Sequence, residues 1–142
     1  MAAAGRALLG DACEAAIGFL ATASNAGSPH LAPVCPIFCD DWLYLSVGAD
    51  SPKRRDLDAN GRYVLHAFLG PDDAEFKVFG IAEAVVDDAA RRHVQAAIRF
   101  GAFRQADPIY RLWMATCMYG YWASVGRPDT RPVRRWWHAT RP

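Results

Sequence analysis

Ser51-Pro52-Lys53-Arg54-Arg55 places a hydroxyl, a proline and three cations in consecutive positions. Ser followed by Pro predicts a helix start, with Ser51 as the cap and Pro52 at the first helical position. A helix N-terminus already carries partial positive charge, so three cations there need an explanation. In one account they pair locally with Asp50, Asp56 and Asp58 on a solvated surface, each pair being worth up to about 1 kcal/mol. In the other the cluster complements an anion. A phosphate at the helix start would accept backbone N–H bonds, and the Ser51 hydroxyl and Lys53 ammonium would complete the cradle. Ser-Pro-Lys alone is a weak motif, so the surrounding elements have to decide.

Other chemistry-bearing residues are sparse. His30 could touch a substrate or cofactor, or simply stand exposed at a strand start. His66 alternates with Val64 and Phe68 and reads as a buried or interface histidine, while His93, beside Arg91 and Arg92, reads as solvated. No Ser-His-Asp or Cys-His order is persuasive. Asp40-Asp41, Asp72-Asp73 and Asp87-Asp88 read as turns or caps rather than as an acid–base pair. The cysteines are Cys13, Cys35, Cys39 and Cys117. On an extended strand Cys35 and Cys39 lie roughly 13 Å apart, against about 7 Å for a disulfide. A zinc site would want closer pairs or a matching second pair, so buried structural thiols are expected.

The elements that must position these groups follow from periodicity and turn chemistry. Helical spacing is expected over 3–16, with Leu8, Leu9, Ala12 and Ala16 on one face. Strands are expected over 18–24, 30–38, 42–47, 63–69, 75–86 and 118–125. Pro33 and Pro36 put the second of these at an edge, or against something other than a strand. Gly80 predicts a bend or bulge in the fifth. The cationic stretch falls on a short helix, about 51–59, closed near Gly61. Asp87 or Asp88 caps a helix to about residue 100, with Val94, Ala97 and Ile98 inward, and Asp107-Pro108 begins another short helix. Residues 126–137 form a Pro-rich, basic and aromatic tail. There Trp136 and Trp137, with Arg131, Arg134 and Arg135, either pack at a terminus or cover a flat ring or a partner subunit. Six strands with local turns argue for a closed antiparallel barrel.

Composition narrows the classes. With 142 residues and 52% hydrophobic content, a single domain over 1–142 with a true core is expected. A net charge of +1 without a basic face argues against nucleic acid. No stretch reads as a signal peptide or membrane span, so a soluble cytoplasmic protein is expected.

Gly18-Phe19-Leu20-Ala21-Thr22, Pro29-His30-Leu31-Ala32-Pro33-Val34, Leu43-Tyr44-Leu45-Ser46 and Ser51-Pro52-Lys53 occur in that order. The set resembles the flavin-binding split-barrel family, the pyridoxamine 5'-phosphate oxidase-like proteins. That family has a G-x-L-A-T strand, a P-H-x-x-P-V strand, an L-Y-x-S/T strand and an S-x-K helix start. The resemblance covers roughly residues 17–86. It implies a mainly β fold with flanking helices, a six-stranded antiparallel split β-barrel. It also implies FMN at a homodimer interface. By position, Ser51 and Lys53 would hold the phosphate with Arg54 assisting. Ala32, Pro33 and Val34 would lie along the isoalloxazine ring, and Ser46 and Val47 beneath the ring or ribityl chain. The expected function is flavin-dependent oxidoreduction of a small organic molecule. Alternatives within the resemblance are a deazaflavin-dependent reductase or a non-catalytic flavin or haem carrier. Two positions depart from the pattern: Val47 stands where the family often has Thr, and Ala32 where the oxidase proper has Arg. A relative of the oxidase fits better than the oxidase itself.

Overall fold

The computed structural model describes residues 2–9, 17–70, 73–98, 104–122 and 131–139. Ala12, Cys13, Ala16, residues 99–100, the end of the strand expected over 118–125 and part of the tail lie outside the described residues. The elements are α1 (Ala2–Leu9), β1 (Gly18–Ala23), β2 (Pro29–Val34), β3 (Pro36–Cys39), β4 (Trp42–Ser46), α2 (Pro52–Asn60), β5 (Arg62–Ala67), β6 (Glu75–Ala84), α3 (Asp88–Ala96), β7 (Ile109–Tyr121) and β8 (Val133–His138).

The strands form one antiparallel sheet in the order β2-β1-β5-β6-β7-β4-β3, with β8 added to β7. Its two ends, β2 and β3, are separated in the chain only by Cys35. A sheet whose opposite edges are joined through one residue must curl until those edges meet. The result is a split barrel, closed there by the chain rather than by a ladder. The expected strand over 30–38 is therefore one bent segment serving both edges. Pro33 and Pro36 fall on these edge strands, where a missing N–H costs no interior ladder bond.

Side chains alternate as the pleat demands. Leu20 and Thr22 of β1, Tyr63, Leu65 and Ala67 of β5, and Phe76 and Val78 of β6 turn inward and are buried. A second, smaller core of Ile37, Cys39, Tyr44, Val94 and Ile109 lies where α3 meets the sheet. Asp87 caps α3, accepting the Ala90 N–H at 2.7 Å.

Eight strands are present among the described residues, not six: two differences account for the count and a third lengthens β7. Cys35 divides the 30–38 strand. Asp107-Pro108 starts no helix but leads into β7, and the Pro108 carbonyl accepts the Val47 N–H at 3.1 Å. The aromatic tail is a strand, β8, paired with Thr116–Tyr121. The helix signal at Asp107 was overridden by pairing: β7 lies against β6 along its length, with β4 and then β8 on its other side. The expected irregularity at Gly80 is present. Phe79 faces Thr116 while Gly80 faces Met114, leaving Ala115 as the extra residue.

Glu75 fastens β8 to the sheet. Its carboxylate lies 3.1 Å from Lys77 Nζ, 3.4 Å from Arg134 Nε and 3.6 Å from His66 Nε2. Burial pushes this carboxyl up, but hydrogen bonds and charge from Lys77 and Arg134 outweigh that and hold it below its ordinary range. Glu75→Gln is expected to cost about 1 kcal/mol, because the groups around the carboxylate are partly exposed and solvent screens such pairs. Urea denaturation at pH 7 checks this, and an unchanged midpoint would refute the anchoring role.

Candidate functional site

The helix start is built as its sequence suggests. Ser51 is extended (φ −76°, ψ 148°), and its Oγ accepts the Arg54 N–H at 3.3 Å. The same hydroxyl donates to the Gly48 carbonyl at 2.8 Å, fixing the loop that delivers the chain from β4. Pro52 follows at the first helical position, and the first turn contains no acid. At the other end Gly61 adopts φ 66°, the left-handed cap that glycine tolerates best.

The three cations are not equivalent. The Arg54 guanidinium donates through Nη1 to the Ala49 carbonyl at 2.8 Å, and its Nε lies 3.2 Å from Asp58 Oδ2. Arg55 Nη1 donates to the Asp50 carbonyl at 3.3 Å. Lys53 is half-buried and has no hydrogen-bond or ion-pair partner among the described residues. Local pairing thus accounts for Arg54 and not for Lys53.

Asp56 departs from the surface-pairing account altogether. It is 3% exposed, one of two buried polar or charged residues among those described. Its Oδ2 accepts the Thr22 hydroxyl at 2.6 Å and His30 Nδ1–H at 2.6 Å. Burial by itself raises the carboxyl pKa. The bonds from Thr22 and His30, with the charges of His30 and Arg55, outweigh burial and hold it below the ordinary value. Thr22 and His30 face each other across the β1–β2 ladder, so one hairpin supplies both donors. His30 is therefore not a free residue at a strand start: its Nδ1 is fixed on a buried carboxylate while the ring remains partly exposed. A carboxylate on Nδ1 selects the tautomer and orients the ring.

This contact fastens the two halves of the expected site. His30 is two residues before Ala32, and Asp56 is five residues past Ser51. Ala32 is half-buried and Pro33 exposed on β2. Ser46 is half-buried at the end of β4. Val34 and Val47 are buried in the main core, so their part at such a site is to back the segments that face it. Asp56 could not be singled out from the sequence, because its partners lie 26 and 34 residues away.

A second feature is an apolar cavity of about 450 Å³ walled by Phe38, Trp42, Phe76, Met114 and Trp137, with Arg6 at its edge. It shares no lining residue with the α2 start. Beside it Trp42, Tyr44 and Trp113 surround the Arg111 guanidinium at 4.9 to 5.6 Å.

No protein-family model and no curated protein sequence matches the chain. Solved structures do. A haem-binding protein from Mycobacterium smegmatis superposes with a TM-score of 0.65 at 19% identity, over 93% of this chain and 57% of that one. The chain thus spans little more than half the length of that protein. General Stress Protein 26 from Bacillus anthracis str. Sterne matches with a TM-score of 0.62 at 19% identity, over 94% and 98% of the two chains. A candidate pyridoxamine 5'-phosphate oxidase from Listeria innocua gives 0.59 at 16%, over 71% and 85%. At such identities the likeness is one of fold, and the curled sheet joined edge to edge at Cys35 is the split barrel of the pyridoxamine 5'-phosphate oxidase-like structures.

Proposed function

We propose that the chain is an FMN-binding flavoprotein that catalyses oxidoreduction of a small organic molecule, as a homodimer with the cofactor at the subunit interface. The observation that carries this reading is Lys53: a cation without a partner among the described residues, on an acid-free helix start. Such a start offers free N–H groups and a positive field to a phosphate. Ser51 and Lys53 hold the phosphate, and Arg54, already pinned by Ala49 and Asp58, adds charge at fixed position. The β2 segment Ala32-Pro33-Val34 offers backbone groups to a planar ring, and Ser46 a hydroxyl near it. When bound, the flavin ring supplies hydride acceptance and donation, and the protein's part is position, hydrogen bonds and exclusion of water. His30, on the same strand and oriented by Asp56, is able to move a proton. Exposed Leu31 on β2 and exposed Trp136 and Trp137 on β8 are surfaces suited to burial by a second subunit.

Mass spectrometry of the ligand that co-purifies, with its absorbance spectrum, separates FMN from a deazaflavin. Lys53→Glu is expected to abolish FMN retention while leaving far-UV circular dichroism unchanged. Unaltered FMN affinity in that variant would exclude the site. A second reading, a carrier of an apolar or planar ligand such as haem, is favoured by the aromatic-walled cavity and the mycobacterial structure. It predicts tight haem binding that survives Lys53→Glu.

A further inference from the structure

We propose that Cys39, Asp40 and His93 form a binding site for a divalent transition-metal ion of the zinc type, which clips α3 to the β3–β4 hairpin. The site is independent of the α2 region. Cys39 ends β3, Asp40 begins the turn to β4 with φ 52°, and His93 lies in the last turn of α3. Their ligating atoms all lie within 4.8 Å of one another, and His93 Nε2 is 3.0 Å from Asp40 Oδ2. Bond lengths of about 2.0–2.3 Å in a tetrahedral zinc site imply ligand–ligand separations of roughly 3.3–3.6 Å. The His–Asp pair is thus already close to metal spacing, and the sulfur needs to approach by about 1 Å.

Sequence spacing offers no hint of this trio, since 53 residues separate Asp40 from His93. The fold brings them together by seating Val94, next to His93, in the small core that also contains Cys39. One sulfur, one imidazole nitrogen and one carboxylate oxygen suit zinc, and water completes a fourth position. A thiolate and a carboxylate neutralise the charge of the ion. Without metal, the His93–Asp40 contact is an exposed pair of little worth beside a buried thiol. Arg6 donates to the Asp40 carbonyl at 3.3 Å, so it steadies the turn while its charge moderates the affinity.

Binding balances simply. The ion takes the place of the hydrogen between His93 Nε2 and Asp40; that hydrogen passes to solvent and the neutral imidazole takes one up on Nδ1 in exchange. Cys39 Sγ gives its proton to solvent, so one proton leaves per ion bound.

The test is titration of the chelator-treated full chain with Co²⁺. One equivalent should bind, with a thiolate-to-cobalt charge-transfer band that Zn²⁺ bleaches, and Zn²⁺ should raise the melting temperature. His93→Ala, at an exposed position, should fold normally and weaken binding by on the order of 1,000-fold, beyond the roughly tenfold to 100-fold typical of an outer-shell loss. Cys39→Ser should lose the band. Absence of a band in the wild type, or its persistence in Cys39→Ser or at undiminished affinity in His93→Ala, would overturn the site. None of these readouts depends on flavin.

Discussion

Asp56→Ala is expected to destabilise the protein by about 3 kcal/mol, leaving Thr22 and His30 without their shared acceptor. The estimate follows from breaking a buried charged group away from its partners and from leaving a buried hydroxyl unsatisfied, which alone costs about 1–3 kcal/mol. Asp56→Asn separates charge from shape. Its side-chain carbonyl can replace Oδ2, the atom that accepts both bonds. It should therefore cost roughly half as much, since charge-assisted bonds are about twice as strong as neutral ones.

The two variants also differ in pH dependence. The native carboxyl titrates below its unfolded value, which is about 3.9. The stability it contributes is accordingly complete above the unfolded value and is lost as pH falls through the native one. Wild-type stability should fall progressively as pH drops below about 5, and Asp56→Asn should fall less, the remainder coming from groups such as Glu75. Urea denaturation at pH 7 and near pH 3.5 measures both quantities. An identical pH slope in wild type and Asp56→Asn would show that the buried carboxylate is not the source.

Gly80→Ala is expected to cost about 3 kcal/mol, at the upper end of overpacking penalties, or roughly 10 °C of melting temperature for a chain of this size. A Cβ on Gly80 would lie 1.8 Å from the Trp113 carbonyl oxygen and 2.9 Å from its carbon. Both are backbone atoms of β7, which β4 holds at Ile109–Arg111 and β8 at Thr116–Tyr121, to either side of Trp113, so relief requires distorting the strand between those ladders. The intruding methyl would also lie 3.1 Å from the Tyr63 hydroxyl, which donates to that same carbonyl at 3.3 Å. Gly48→Ala is the control, since nothing lies within 4 Å of a Cβ there. Equal melting temperatures for the two variants would disprove the close approach at the bulge.

These sites show where sequence reading works. The Gly80 irregularity, the Ser51 cap with Pro52, and the Gly61 cap were legible because each is a local backbone requirement written in one or two residues. The strands β1, β5 and β6 followed from their apolar patterning between turns, and β4 from a short apolar run. The edge character around Pro33 and Pro36 followed from their missing N–H groups. What stayed hidden is non-local. Ile109–Tyr121 reads as a helix start followed by a late strand until β6 and β4 are beside it, and Val133–His138 reads as a tail until β7 offers an edge.

By itself, then, the sequence determined the short-range grammar of this protein: its caps, turns, most strands, and a helix start that carries three cations. Only the tertiary structure decided that the 29–39 segment spans both edges of one curled sheet. Likewise it alone decided that Asp56 is buried on Thr22 and His30, that Arg54 is engaged while Lys53 has no partner among the described residues, and that Cys39 and Asp40 meet His93. The physical reason is the same in each case. Local signals record what a backbone segment can do alone, whereas burial and pairing of charge depend on which distant segments the closing sheet brings within bonding distance.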